Sequence, residues 1–270
     1  MISPDSIVVD GELSSIAPKV IPPKQIRRSI ATAGRELGLI ALLYLVYRTG
    51  RLLVVGHEVI AVDNAELVHR WEAWLHLPSE AVIQSDLFSE NLFRLANVYY
   101  VSVHFPIMIA FLLLGYLWRS RAEYQWARTL IVVQTGFALV LHLAFPLAPP
   151  RMFPQWGFID TMSVYGPSAY DGAAASVANQ FAAMPSLHVG WAITIAYVLA
   201  RTGPAWLSIP MGVHACVTVA VVIVTANHWW LDALVAIAVL ALTLLAFPEP
   251  GTSRLTALVP CWQQRRPAAP

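Results

Sequence analysis

Residues 205–225, AWLSIPMGVHACVTVAVVIVT, form an apolar run without Asp, Glu, Lys or Arg. A transmembrane helix needs about 20 mainly apolar residues, so this run predicts one membrane span. Five further apolar runs lie between polar breaks. They are approximately Leu37–Val55, Val98–Trp118, Thr129–Ala148, Leu187–Ala200 and Trp229–Phe247. The sequence therefore predicts an all-α integral membrane protein built as a bundle of six transmembrane helices.

The composition favours the same class. Of the 270 residues, 57% are hydrophobic and 12% are charged, and the mean hydropathy is +0.60. Soluble domains contain about 45 to 50% apolar and about 25% charged residues, so the composition disfavours a soluble globule. The formal net charge of +1 gives no reason to expect nucleic acid as a partner. Two cysteines, Cys216 and Cys261, are too few for a disulfide framework.

Basic residues predict the orientation, because Lys and Arg that flank a span stay on the cytoplasmic side. Residues 1–36 carry five of them and no recognisable signal peptide, which predicts a cytoplasmic tail. Residues 37–247 then form the membrane domain, and residues 248–270 form a second cytoplasmic tail. The acidic connection 56–97 is placed outside. Its segment around Trp71, Trp74 and Leu77 predicts an amphipathic helix on the outer leaflet.

Three polar stretches meet at the outer face of this topology. FPLAPPRMFP (145–154) follows the third span, FAAMPSLHVGW (181–191) leads into the fourth, and TANHWWLD (225–232) leads into the sixth. Helix ends at one membrane level converge in a small bundle. Polar groups at membrane depth are costly, and they mark functional sites or buried polar pairs. We therefore predict a site assembled from these three stretches.

His228 and Asp232 are four positions apart, which predicts that both project from one face of a helix. The carboxylate then holds one ring nitrogen and leaves the other as a nucleophile or base. A buried polar pair that only stabilises helix contacts is the alternative.

His188, from another helix, supplies a complementary acid. Arg151 offers a planar cation for phosphate oxygens or serves as an interfacial anchor. Ser186 lies at a helix start, where free N–H groups favour an anion. Together these residues predict phosphoryl transfer without a metal or cofactor.

The stretches MPSLHVGW and NHWWLD resemble the second and third signature motifs of the type 2 phosphatidic acid phosphatase superfamily. PSLH in place of PSGH, with the upstream APPR, is most similar to the inositol phosphorylceramide synthase branch. The similarity spans about residues 37–247. It implies a six-helix fold, with His228 as the nucleophile that forms a phosphohistidine and Asp232 as its orienting partner. His188 is then the acid that protonates the leaving oxygen.

Two phosphate-binding cations of the phosphatase branch are missing. Their positions are occupied by Ala144 and Val222. This departure favours the synthase-like branch, whose third motif likewise lacks the arginine. Arg48 and Arg51, in the outer half of the first span, either supply replacement charge for the phosphate or serve as interfacial anchors.

Four other polar residues are assigned to the site with alternatives. Asn227 and Ser186 are assigned to phosphate binding, although a serine after proline is also an ordinary helix cap. His104 and Asp160 are assigned to headgroup binding, and packing is the alternative for His104. Asp160 belongs to a long outer loop that suits either a lid over the headgroup or a solvated connection.

We therefore expect a lipid phosphotransferase with its site on the extracytoplasmic side of the plasma membrane. Its substrate is a lipid phosphate or phospholipid, the transferred group is a phosphoalcohol such as inositol phosphate, and a polyol such as inositol is a candidate acceptor. With water as acceptor, the same site is a phosphatase for lipid phosphates or polyprenyl (di)phosphates. Two other classes stay open. One is a membrane metal-dependent hydrolase or oxygenase with His188, His228 and Asp232 as ligands, and the other is a non-catalytic lipid transporter.

Overall fold

The computed structural model describes residues 58–87, 89–170 and 180–251, together with positions 34–36, 38–39 and 45. The chain divides into two units, Met1–Tyr44 and Leu45–Pro270. In the first unit, the described positions are helical. In the second, the regular elements of the described ranges are helices, and the β contact among them is an isolated bridge between Leu147 and Ala182. The all-α prediction is confirmed for these ranges.

Nine α-helices are assigned within the described ranges. They are α1 (Glu58–Trp74), α2 (Glu80–Asp86), α3 (Glu90–Ser102), α4 (His104–Trp118), α5 (Arg121–Ala144), α6 (Thr161–Tyr165), α7 (Leu187–Thr202), α8 (Ala205–Val224) and α9 (Trp230–Ala246). Two short 3-10 helices, Pro150–Met152 and Pro154–Trp156, lie between α5 and α6. The segment formed by α3 and α4 runs over 29 residues, Glu90–Trp118.

Three helical segments of the described ranges are long and apolar enough to cross a membrane. They are Glu90–Trp118, α5 and α8. The helix α9 is a shorter apolar helix of 17 residues, and α7 has 16 residues. These five elements overlap the second to sixth predicted spans. The first predicted span, Leu37–Val55, lies outside the described residues except for positions 38, 39 and 45. Six spans and two cytoplasmic tails stay predictions.

The predicted third span was misplaced along the chain. Its helix, α5, begins at Arg121 and ends at Ala144, not at Ala148. Phe145 precedes a proline, and the residue before proline is disfavoured in the α region. Its backbone accordingly leaves the helix, with φ −140° and ψ 71°. At the other end Ser120 forms a capping box with Glu123, which sets the start of α5 in polar sequence upstream of the apolar run.

The helix α7 lies at the centre of the packing, against α4, α5, α8 and α9. Gly190 permits its close approach to α5, because a Cβ there would come within 2.9 Å of Gln134 Oε1. The same Gln134 donates from Nε2 to Thr194 Oγ1 at 2.6 Å. Apolar side chains such as Leu130 and Ile195 fill the rest of this contact. The N-terminal half of α7 is thereby held against α5.

Backbone hydrogen bonds tie several connections together at the end of the bundle where α7 and α9 begin. Leu147 N donates to Phe181 O at 2.8 Å, and Arg151 N donates to Ala226 O at 2.9 Å. Trp229, which is fully buried, donates from Nε1 to Ala148 O at 2.9 Å. We call this end of the bundle the site end. The three polar stretches singled out in the sequence meet there.

Candidate active site

The imidazole of His228 is held through its Nδ1 atom. That nitrogen lies 2.9 Å from Ala183 O and 3.1 Å from Asp232 Oδ2. A carbonyl oxygen can only accept, so Nδ1 carries the proton and Nε2 keeps its lone pair. Burial, assisted by the positive charge of Arg151, lowers the pKa of His228 to about 4, although its hydrogen bond to Ala183 opposes the shift. The ring is therefore neutral at pH 7 and has a free Nε2.

One detail of the sequence prediction is wrong. The helix α9 begins at Trp230, so His228 lies in the turn before the helix and not on its face. The contact with Asp232 survives because the turn folds back. Asp232 accepts from Trp229 N at 2.9 Å with the same oxygen, Oδ2, that contacts the imidazole. The carboxylate thus fixes both the helix start and the orientation of the ring.

His188 faces His228 from the first turn of α7. Their ring centroids are 6.0 Å apart. Tyr100 stacks on His188, with a centroid distance of 4.3 Å. Nε2 of His188 is buried and has no hydrogen-bond partner among the described residues. The two imidazoles thus meet at the site end, one from the first turn of α7 and one from the turn before α9, close enough to contact one tetrahedral anion.

Arg151 is buried, and its guanidinium is fixed by three different acceptors. Nε donates to Asn227 Oδ1 at 3.1 Å, Nη1 to Asp160 Oδ2 at 3.3 Å and Nη2 to Gln180 Oε1 at 3.3 Å. The Cζ atom lies 3.9 Å from the ring centroid of Tyr170. A guanidinium has five N–H groups, so two remain for phosphate oxygens. The charge of Arg151 acts on His228, as the lowered pKa of that histidine indicates.

The structure gives Ser186 and Asn227 local roles. Ser186 is the N-cap of α7, and its hydroxyl accepts from Val189 N at 3.3 Å. Its own N–H donates to Asp232 O at 3.1 Å, which joins the starts of α7 and α9. Asn227 donates from Nδ2 to Thr225 Oγ1 at 2.8 Å, which turns its Oδ1 toward the guanidinium. Both residues therefore position the site, and phosphate binding by either stays a prediction.

Two of the other predicted site residues, Asp160 and His104, lie next to the residues described above. Asp160 forms an ion pair with Arg151 and caps α6 by accepting from Ser163 N. Its carboxylate is thus already engaged by protein groups. His104 is 1% exposed and its ring centroid lies 4.8 Å from that of His188, which puts it inside the bundle and next to the site. Arg48 and Arg51 lie outside the described residues.

Sequence reasoning missed three groups at the site end. Tyr170 stacks under the guanidinium, and its hydroxyl donates to Asn227 Oδ1 at 3.1 Å. Glu72 and Glu80 accept from backbone N–H groups of the first turn of α9. The surplus of acidic residues in the connection 56–97 is visible in the sequence. It predicts the side of the membrane and an amphipathic helix, but not a contact with the start of α9.

Within the described ranges, no group of three or more His, Cys, Asp or Glu side chains is arranged to hold a metal ion.

Comparison with known proteins adds one finding. A family model described as the PAP2 superfamily matches residues 66–246. The matched range covers more than half of the chain and contains both facing histidines, the aspartate and the buried arginine. No curated protein and no solved structure shows a significant match to the chain.

Proposed function

The chain belongs to the PAP2 superfamily, and on that basis we propose that it is a lipid phosphotransferase that works through a phosphohistidine on His228. Membership supports phosphatase or phosphotransferase chemistry on lipid phosphates. The apolar helices support a location in a membrane. We further propose the extracytoplasmic face of the plasma membrane as the site of reaction, from the distribution of basic residues. The proposed acceptor is a polyol such as inositol, from the synthase-like motifs.

The state of the His228 ring carries this proposal. Its Nδ1 proton is directed to Ala183 O and Asp232 Oδ2, so Nε2 has the lone pair that a nucleophile requires. Nε2 attacks phosphorus, the new N–P bond forms, and the bond to the leaving oxygen breaks. His188 gives its proton to that oxygen. The two free N–H groups of Arg151 stabilise the charge on the nonbridging oxygens.

The second half of the reaction returns the enzyme to its starting state. Neutral His188 takes the proton of an acceptor hydroxyl, whose oxygen attacks the phosphohistidine. The N–P bond breaks, its electron pair returns to Nε2 of His228, and the product leaves with the phosphoryl group. An alcohol acceptor makes the reaction a transfer, and water makes it a hydrolysis. The position of His188, opposite His228 at a centroid distance of 6.0 Å, suits both proton transfers.

The test is a product assay with purified protein in detergent. Lipid phosphates, polyprenyl diphosphates and phospholipids are each supplied with and without inositol, in the presence of EDTA. We expect a new inositol-containing lipid when inositol is present. Free phosphate alone, under all conditions, would support the phosphatase alternative and contradict the transfer. Loss of activity in EDTA that is restored by a metal would support the metal-dependent class instead.

Two variants and a matched control assign the nucleophile. Substrate labelled with 32P should leave acid-labile, base-stable label on the wild type and none on His228→Ala. His188→Ala should slow turnover, because the leaving oxygen loses its acid. The control is His76→Asn, at an exposed position with φ +55°, which asparagine tolerates. Label retained on His228→Ala would refute the proposed nucleophile.

A further inference from the structure

Three carboxyl groups cap the start of α9, and two of them come from distant parts of the chain. Trp229 N donates to Asp232 Oδ2 at 2.9 Å, within the turn itself. Trp230 N donates to Glu80 Oε1 at 3.1 Å, and Leu231 N donates to Glu72 Oε1 at 2.8 Å. The first N–H groups of a helix have no partner within the helix, and negative charge there is favourable. Glu72 and Glu80 supply partners for two of them.

Trp230 and Leu231 are part of the short stretch that joins His228 to Asp232. The two glutamates therefore hold the backbone between the proposed nucleophile and its orienting carboxylate. Glu72 lies on α1 and Glu80 on α2, so both helices are fastened to the site through these contacts.

Glu72 and Glu80 also form a pair with each other. The two residues are 4% and 2% exposed, and their carboxyl groups lie side by side because they accept from the N–H groups of adjacent residues, Trp230 and Leu231. Two ionised carboxylates at such positions repel each other away from water, and a proton between them removes that repulsion. The pair therefore holds one proton and one negative charge.

The surroundings keep that proton in place. Burial, the charge of Glu80 and the charge of Asp232 raise the pKa of Glu72 to about 9, against its hydrogen bond from Leu231. Burial also raises the pKa of Glu80. Among the described residues, Asp232 of α9 is the other charged group that acts on the pair. His69, one turn earlier on α1, stacks on Trp156, and burial lowers its pKa, so it is neutral at pH 7.

We infer that Glu72 and Glu80 are positioning residues that share one proton and clamp the first turn of α9, so that His228 and Asp232 keep their reactive geometry. This inference rests on the proposed function for its effect on turnover. A misplacement of about 1 Å in a catalytic group can cost about 10²-fold in rate. Loss of the shared proton puts two carboxylates side by side in a buried site, which repel each other and release the helix start.

The experiment compares pH profiles of turnover between pH 6 and pH 10.5. Wild-type kcat should fall on the alkaline side, by about tenfold at pH 10, since about one tenth of the pairs then retain the proton. In Glu72→Gln, the amide oxygen still accepts from Leu231 N and the amide N–H groups can donate to the carboxylate of Glu80. The glutamine side chain does not titrate. We expect it to have kcat within about threefold of the wild type at pH 7 and to lack the alkaline fall.

Glu72→Leu should lower kcat at all pH values by about tenfold or more, with KM little changed, because it removes the acceptor of Leu231 N. Glu66→Gln is the matched control, with the same chemical change at an exposed position of the same helix. It should leave the wild-type profile unaltered. An alkaline fall in Glu72→Gln equal to that of the wild type would overturn the inference.

A second readout separates this inference from the proposed reaction. A carboxyl whose pKa is raised by folding contributes stability that is present below its unfolded pKa of 4.5 and is lost as pH rises through about 9. The Tm of the wild type should therefore fall relative to Glu72→Gln between pH 5 and pH 10. If no lipid phosphate is turned over, the proposed function fails while this Tm difference still reports the shared proton. Parallel Tm curves would overturn the shared proton whatever the activity.

Discussion

Replacement of Arg151 by lysine tests how the buried cation works. The guanidinium reaches Asn227, Asp160 and Gln180 at 3.1 to 3.3 Å and keeps two N–H groups for the substrate. An ammonium has three N–H groups on a single atom. It therefore cannot satisfy those three acceptors and also bind two phosphate oxygens. Arg151→Lys keeps the charge and loses the fork, so it separates charge from geometry.

The magnitude follows from the contacts that are lost. A cation–π contact such as that with Tyr170, at 3.9 Å, is worth about 1 to 2 kcal/mol when desolvated. A hydrogen bond to a charged group is worth about 1.5 to 3 kcal/mol. Loss of one phosphate contact and part of the stacking gives a transition state less stable by about 3 to 4 kcal/mol. We therefore expect kcat/KM to fall by about 10²- to 10³-fold.

The assay is release or transfer of labelled phosphate, with inhibition by vanadate measured in parallel. Vanadate mimics pentacoordinate phosphorus, so its inhibition constant should rise along with the loss of kcat/KM. Arg70→Lys, at an exposed position of α1, is the control and should match the wild type. If Arg151→Lys kept kcat/KM within about threefold, the guanidinium would not bind the transition state, and the assigned role would be wrong.

Three further predictions concern neighbouring groups. The pKa of His228 is lowered to about 4, so its neutral form contributes up to about 3 kcal/mol of stability that is lost as pH falls from 6.5 through 4. The Tm of the wild type should therefore drop more steeply over that pH range than the Tm of His228→Ala. Equal slopes would contradict the lowered pKa. Tyr170→Phe keeps the ring under the guanidinium and should retain kcat/KM within about threefold of the wild type. Tyr170→Ala removes the ring and should lower kcat/KM by about tenfold. Equal losses in the two variants would refute the stacking role. Trp229→Phe removes the hydrogen-bond donor of the buried Ala148 O and should destabilise the protein by about 2 kcal/mol. A lower Tm would show this loss, and an unchanged Tm would contradict the contribution of that hydrogen bond.

Much of the fold was predictable because hydrocarbon imposes a simple rule on the chain. Backbone polar groups within a membrane must be satisfied inside the segment, so long apolar runs become helices. The run 205–225 accordingly matches α8, Ala205–Val224, nearly residue for residue. The ends of α5 differ from those of the predicted third span for an equally local reason. A capping box sets the start of the helix and a proline sets its end, and hydropathy signals neither.

The candidate site was predictable in its residue types and only partly in its arrangement. His228 and Asp232 are near in sequence, and their contact at 3.1 Å follows from the spacing even though the helix begins after the histidine. The loop of Asp160 and its place downstream of PPR predict a headgroup contact. In the fold, its carboxylate faces Arg151 at 3.3 Å.

The sequence by itself determined the apolar helices, the identity of the polar motifs and the local pairing of histidine with aspartate. These features depend on the hydropathy of a segment and on spacings of a few residues, and both can be read from the local sequence. Only the tertiary structure decided what surrounds those motifs. Glu72 meets Leu231 across 159 positions of sequence, and Arg151 meets Asn227 across 76. Such contacts arise when remote elements pack together to satisfy buried charges and free helix N–H groups, and no local pattern encodes which partners will meet.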